Sequence, residues 1–284
     1  MATVNRQESD MVQLYRDAQH IEELAWWDMY NAAPEDYARQ HGLRAIRLAG
    51  GTCFAHRFLP TWDFNRVLKL GASSPLTKPA LKEIQSWMDK NAGPAYNMGV
   101  DPNTQPEQVP AWLQASGLTL SDEGITRFIY DGQNPAVIIQ SRLNVREITP
   151  QESGLYGTLV STAFDLPEGF DTWFAQLAGR PGWRIFIACD GAVPVATGAL
   201  YVKDGLAWLG LGATLKQHRR QGAQSLLLNL RVSEAKKMGV KSFHIETETP
   251  ASGVPMDASS RNVLKAGFNV LFVRDHYRVA AINN

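Results

Sequence analysis

The sequence predicts an α/β protein of two tandem units, each a mixed twisted sheet flanked by helices. Three observations carry that prediction. Short apolar runs alternate with amphipathic stretches of helical period. The element order of the second half recurs in the first. A polar break at Gln133 to Arg142, carrying Asn134-Pro135, separates them, which gives units at 1–135 and 143–284.

In chain order, Asp10 to Tyr30 reads as a helix with Met11, Leu14, Tyr15, Ala18, Ile21 and Ala25 on one face. Leu43 to Leu48, Thr52 to Phe58 and Phe64 to Leu70 read as strands. Thr77 to Asn91 follows as a helix with Leu81, Ile84 and Met88 inward, then a strand Ala95 to Val100, a helix Pro106 to Ser116 closing on Gly117-Leu118, and strands to Tyr130.

The second unit reads as a strand Asn144 to Thr149, helical pieces Pro150 to Phe164 and Phe170 to Ala178, and strands Trp183 to Cys189 and Val193 to Val202 joined at Asp190-Gly191. After a turn at Asp204-Gly205, Leu206 to Thr214 is a near-continuous apolar run, the pattern of a strand covered on both faces. A helix begins near Ala223 with Leu226, Leu227 and Leu230 at the spacing of one buried face, Lys236 and Lys237 in its last turn, and Gly239 as the left-handed residue beyond its end. A strand Ser242 to Glu248, a short helix Ala258 to Ala266 ending at Gly267, and a strand Asn269 to Val279 complete the unit.

Between the Leu206 strand and the Ala223 helix lies Lys216-Gln217-His218-Arg219-Arg220-Gln221-Gly222-Ala223-Gln224. The first turn of a helix leaves backbone N–H groups without internal partners, and with the helix dipole they favour phosphate oxygens. The spacing excludes a P-loop, which needs Gly-Lys-Ser/Thr, and a dinucleotide fingerprint, which needs three glycines. Arg219-Arg220-Gln221-Gly222-Ala223-Gln224 resembles the Q/R-x-x-G-x-G/A loop of the GNAT superfamily of acyl-CoA-dependent N-acyltransferases, with Gln224 in place of the second Gly/Ala. The order β-α-α-β-β-β-α-β-α-β around it is also that superfamily's order. So is the closing Ser259-Ser260-Arg261-Asn262-Val263-Leu264-Lys265-Ala266-Gly267-Phe268, a short helix running into Gly-Phe.

The resemblance implies two tandem GNAT-like domains, acetyl-CoA as cosubstrate, and direct attack of an amine on its thioester in a ternary complex. It implies that the backbone at Gly212, Ala213 and Thr214 splays from the neighbouring strand to meet the pantetheine arm and the carbonyl, and that the amides from Arg220 through Gln221, Gly222, Ala223, Gln224 and Ser225 hold the pyrophosphate. Gly210 and Gly212 also fit a strand that simply bends. Arg219 and Arg220 suit a phosphate contact or a solvated loop, His218 a proton relay or a solvated histidine, and Asn262 a CoA contact or a helix-surface amide.

Glu246 matches the position of the superfamily's general base, on the face of its strand shared with His244 and Glu248, and it also suits a solvated strand-end acid. The usual leaving-group tyrosine position is Val263, the asparagine often found earlier in that helix is Asp257, and Tyr201 and Tyr277 lie elsewhere. The thiol of CoA leaves tolerably without an acid. Val263 keeps a second reading open, a non-catalytic acyl-CoA-binding sensor or scaffold.

The first unit serves as a control. Its equivalent loop, Gly71 to Pro79, carries Pro75 and Pro79 and no arginine, so it lacks donors for a pyrophosphate. One CoA per chain is expected. With 28 basic and 28 acidic residues, no global field draws the chain to nucleic acid or an anionic membrane. MATVNRQESD has no apolar leader core and no stretch is long enough to span a bilayer, so a cytoplasmic protein is expected. Cys53 and Cys189 read as buried thiols, and no metal site is expected. The expected partner is a small-molecule or peptide amine; a homodimer is compatible with the sequence. Trp26, Trp27, Tyr30 and Trp62 suit core packing better than a pocket lining.

Overall fold

Backbone alternation and helical period produce elements close to those expected. The computed structural model describes residues 2–59, 61–93, 95–130, 132 and 139–279. The first half runs α1 (Ala2–Asn31), α2 (Glu35–His41), β1 (Leu43–Leu48), β2 (Gly51–His56), β3 (Arg66–Leu68), α3 (Lys78–Asn91), β4 (Asn97–Val100), α4 (Val109–Ala115), β5 (Leu118–Leu120) and β6 (Gly124–Tyr130). The second runs β7 (Asn144–Glu147), α5 (Ser153–Phe164), α6 (Phe170–Ala175), β8 (Trp183–Asp190), β9 (Val193–Lys203), β10 (Leu206–Thr214), α7 (Ala223–Lys237), β11 (Ser242–Thr249), α8 (Ala258–Lys265) and β12 (Asn269–Val279). Helix α2 was not anticipated. Its acidic first turn and left-handed Gly42 are helix signals, but seven residues are too few to display a period.

The strands form one sheet in the order β1-β2-β3-β4-β12-β6-β11-β10-β9-β8-β7, with β5 pairing β12 off that path. Strand β6, from the first half, lies between two strands of the second: it pairs with β11 from Phe243–Tyr130 to Thr249–Gly124 and with β12 from Asn269–Ile129 to Arg274–Ile125. Strand β12 then runs on into the first half, where Asp275 to Arg278 pair with β4 and Tyr277 to Val279 with β5. The sheet therefore crosses the division between 1–135 and 143–284, and each half is completed by a strand from the other. Within the stretch read as the boundary, residues 133–138 lie outside the described residues.

Where the exchanged strands meet, the side chains are ionic. Arg274 of β12 donates to both carboxylate oxygens of Glu22 on α1, at 2.8 and 2.9 Å, and to Asp101 at 2.7 Å. Arg127 of β6 lies 3.1 Å from Glu22 and donates to the Ala18 carbonyl at 3.0 Å, and Arg66 of β3 stands 4.0 Å from Glu22. All five side chains are buried, where charge survives only when paired. Burial alone would raise the pKa of Glu22, but the guanidiniums of Arg127 and Arg274 overcome it and hold the carboxyl at about 2.

Helices cover both faces. α1, α2, α5 and α6 share a core with Phe54, Ile185, Ile187, Tyr201 and Trp208, so α1 of the first half packs against the second. On the opposite face α7 and α8 cover Phe186, Leu200, Ala207, Leu209, Phe243 and Ile245, while α3 and α4 cover Cys53, Val67, Met98 and Tyr277. Trp208 thus points one way and Ala207 and Leu209 the other, which explains the unbroken apolar run of β10. Trp26 and Tyr30 are core residues, Trp27 lies half-buried under Arg47, and Trp62 lies under Arg278, each cation 4.1 Å from the ring. Cys53 and Cys189 are free buried thiols.

Candidate functional site

The site begins where two neighbouring strands part. β10 and β11 pair in parallel only from Leu206–Ser242 to Leu209–Ile245, and beyond Leu209 β10 keeps its other neighbour alone. On that side the register slips between Gly210–Ala199 and Ala213–Thr197, so Leu211 and Gly212 oppose the single Gly198. Leu211 takes φ 51, unusual for a branched residue, and Gly212 is exposed. The indole of Trp208 lies over Gly210, leaving no room there for a Cβ. Gly210 and Gly212 therefore serve a bulge where the two strands part.

Beside this edge, Arg220 at φ 63 and Gly222 at φ 86 turn the chain into α7. No side chain caps that helix, and its first internal bond runs from Leu226 N–H to Gly222 O at 3.0 Å. Ala223, Gln224 and Ser225 therefore supply first-turn amides of the kind an anion binds. Among the described residues Arg219 and Arg220 make no ion pair; the Arg219 Nε–H donates to the Thr214 carbonyl at 3.4 Å. Gly222 packs closely against the segment joining the halves. A Cβ there would sit 3.2 Å from Ile139 and 3.5 Å from Ser141, in the segment joining the halves, and the Ser141 hydroxyl donates to the Gln221 carbonyl at 2.8 Å. Glycine is required by the left-handed angle and by that close packing.

Helix α7 is rotated by one residue from the expected face: Ala223, Leu227, Leu228, Arg231 and Ala235 are buried, while Leu226 and Leu230 are partly so. Two polar side chains point at the bulge. The Gln224 Nε2 amide donates to the Ala213 carbonyl at 2.9 Å and to the Thr214 hydroxyl at 3.0 Å. Arg231 Nη1 donates to the carbonyls of Ala199 at 3.0 Å and Gly210 at 3.2 Å. Gln224, expected to contribute to the phosphate loop, thus keeps only its backbone for that task, and Arg231 was missed.

The carboxylates on β11 occupy different surroundings. Glu246 ion-pairs with Arg127, its register partner on β6, so it is neither solvated nor free. Glu248, one pleat further on, is exposed and has no ion pair among the described residues. The surrounding protein, and then the charges of Asp63, Glu123 and Asp257, push its carboxyl above 4.5, with Arg278 pulling the other way. Two of those acids come from the first half, where Asp63 also meets Arg66 and Glu123 meets Arg278, and the third, Asp257, caps α8. His244 is buried against the Ser242 hydroxyl at 2.9 Å and held at about 3 by burial and by Arg127, so it stays neutral.

On α8, Val263 is a core residue and Asp257 caps the helix by accepting from the Ser260 N–H at 2.8 Å. Both departures from the family pattern thus have structural uses. Asn262 is partly exposed and makes no side-chain hydrogen bond among the described residues. Tyr201 packs on Trp183 and Tyr277 sits under α3 and α4, both away from the parted strands. In the first half the equivalent loop is closed. The Leu76 N–H donates to the Gln105 carbonyl at 2.7 Å, the Gln105 N–H to Gly71 at 3.1 Å, and the Thr77 hydroxyl accepts from the Ala80 N–H at 3.3 Å.

No protein-family model matches the sequence, and no curated protein matches it. Solved structures do. A GCN5-related N-acetyltransferase from Kribbella flavida shares 15% identity at a TM-score of 0.58, over 86% of this chain and 93% of that one. A second, from Sphaerobacter thermophilus, shares 13% at 0.59, over 81% and 80%. A tandem GNAT protein from the clavulanic acid biosynthesis pathway shares 14% at 0.53, over 82% and 79%. The likeness is one of fold: the chain folds as these structures do, over four fifths or more of its length.

Proposed function

We propose that this chain of tandem GNAT fold is an N-acetyltransferase that moves an acetyl group from acetyl-CoA to an amine by direct attack in a ternary complex. The observation that carries the reading is the parting of β10 from β11 at a bulge, beside an uncapped helix start with two arginines that make no ion pair among the described residues. Strand parting gives a slot for an extended pantetheine arm. The first-turn amides and Arg219 and Arg220 supply donors for phosphates.

In the reaction the amine nitrogen bonds to the carbonyl carbon, the carbon–sulfur bond breaks, the sulfur leaves as thiolate, and the proton that the nitrogen sheds in becoming an amide passes to that thiolate or to water. The backbone of the bulge, Leu211 to Ala213, is suited to donate to the carbonyl oxygen as charge gathers on it. The amine must first lose a proton. Glu246 is committed to Arg127, whereas Glu248 has no ion pair among the described residues and its pKa is raised, so Glu248 is the better acceptor, directly or through water. The acids Asp63, Glu123 and Asp257 around it favour an acceptor that arrives as a cation.

Val263 in the core supports the second reading, an acyl-CoA-binding sensor without turnover, since no tyrosine takes its place. Incubation with acetyl-CoA and a panel of amines, with thiol release followed, separates the two. Turnover with cationic amines and one CoA bound per chain is expected. CoA binding without turnover on any amine would favour the sensor, and no CoA binding would sink both.

A further inference from the structure

Helical geometry puts residues seven apart on one face, and on α7 that pair is Gln224 and Arg231, set among leucines. Their acceptors lie on either side of the same feature. The carbonyls of Gly210 and Ala213 bracket the bulged Leu211 and Gly212, while Ala199 and Thr197 bracket Gly198 opposite. Arg231 holds Gly210 and Ala199; Gln224 holds Ala213 and, at 3.4 Å, Thr197. The sequence makes room for both side chains. A Cβ on Gly198 would lie 2.8 Å from the Arg231 guanidinium carbon, and one on Gly212 would lie 2.8 Å from the Gln224 amide oxygen.

Arg231 is 1% exposed and has no carboxylate partner among the described residues. Its Nε–H donates to the Leu227 carbonyl, and Tyr156 on α5 is the titratable group that acts on it. Burial pulls its pKa to about 10, so the cation persists at neutral pH. Burying an unpaired guanidinium costs several kcal/mol. Gln224 braces its end of the bulge without any charge, so bracing does not explain the cation.

We propose that Gln224 and Arg231 are positioning residues of the acyl site, clamping the two ends of the bulge, with the Arg231 guanidinium polarising the Gly210–Leu211 peptide toward a thioester carbonyl oxygen. A hydrogen bond to a peptide oxygen strengthens donation by the same peptide's N–H. A cation beneath the bulge also stabilises the charge that moves onto oxygen when the amine attacks, with no proton transferred. The clamp accounts for Gln224 where the family loop has Gly or Ala. The inference rests on the acyl-CoA reading of this cleft.

The test compares wild type with Arg231→Met, Arg231→Lys and Gln224→Ala. CoA affinity is measured by calorimetry, turnover with an amine the wild type acetylates, and the carbonyl stretch of bound carbonyl-labelled acetyl-CoA by infrared difference spectroscopy. Arg231→Met is expected to bind CoA within about threefold of wild type, to lose the downshift of the carbonyl stretch, and to lose about 10- to 100-fold in kcat, somewhat less than deletion of a direct oxyanion donor. Arg231→Lys should restore the downshift at low pH and lose it as pH rises, because burial lowers the ammonium pKa. An unchanged stretch and kcat in folded Arg231→Met overturns the inference while leaving the acyltransferase reading intact. If that variant does not fold, Gln224→Ala decides: a reduced downshift supports the clamp and an unaltered one overturns it. A wild type that does not bind acetyl-CoA removes the functional reading and this inference with it.

Discussion

Replacing Glu22 by Gln tests the junction of the two halves. Three guanidiniums, Arg66, Arg127 and Arg274, meet the carboxylates of Glu22, Asp101 and Glu246 there, with Asp63 3.4 Å from Arg66, and the substitution removes the anion that all three approach. Glu22 is completely buried, and its fall from an ordinary 4.5 to about 2 corresponds to about 3 kcal/mol at neutral pH. That agrees with the roughly 3–5 kcal/mol lost when one partner of a buried pair is removed. Because the folded pKa is depressed, the contribution is complete above 4.5 and is lost as pH falls toward 2. Urea unfolding of wild type and Glu22→Gln, followed by tryptophan fluorescence at pH 7, should give a difference of about 3 kcal/mol that narrows steadily when repeated below pH 4.5. Both proteins should unfold in one transition, since the network joins strands of both halves. A loss under about 1 kcal/mol, the range of an exposed pair, or a difference that does not change with acid, would refute the argument.

Glu248→Gln should lower turnover by roughly two to four orders of magnitude, the usual worth of a general base, with CoA affinity unchanged. Glu246→Gln should mainly lower stability, because it leaves Arg127 short of an anion; the opposite pattern in kinetics and unfolding would return the base to Glu246. Gly222→Val should abolish CoA binding in calorimetry while retaining the circular dichroism of the folded chain, because a branched residue resists φ 86 and collides with Ile139. Undiminished binding would mean that the amides of α7 are not the anion site.

The candidate site was legible where its signals are local. β10 spans Leu206–Thr214 and α7 opens at Ala223 as the apolar run and the glycine imply, and the basic loop between them needed only backbone rules. What sequence could not supply was pairing at a distance. The base expected at Glu246 is tied to Arg127, and Arg274 meets Glu22 across 252 residues, contacts no period or motif encodes. Gln224 and Arg231 were hidden differently. Each fits an ordinary amphipathic helix until the bulge is in view, although an arginine eight residues after Ala223 in an apolar stripe, facing a glycine-rich strand, was a signal that could have been read. The strand exchange left no trace because β6 and β12 have ordinary strand composition; only their neighbours are unusual.

That exchange has a bearing on the timing of synthesis. The space between β4 and β5 is filled by Asp275 to Val279, so the amino-terminal sheet must wait, with two unpaired edges, while everything from Ser121 to Arg274 is translated. At about 5–20 residues per second this is roughly 8–30 s. Until β11 is made, β6 also lacks both strands it will separate. Exposed edges of this kind are templates for pairing with other chains, and folding is expected to finish as a single late event, when β12 closes both edges.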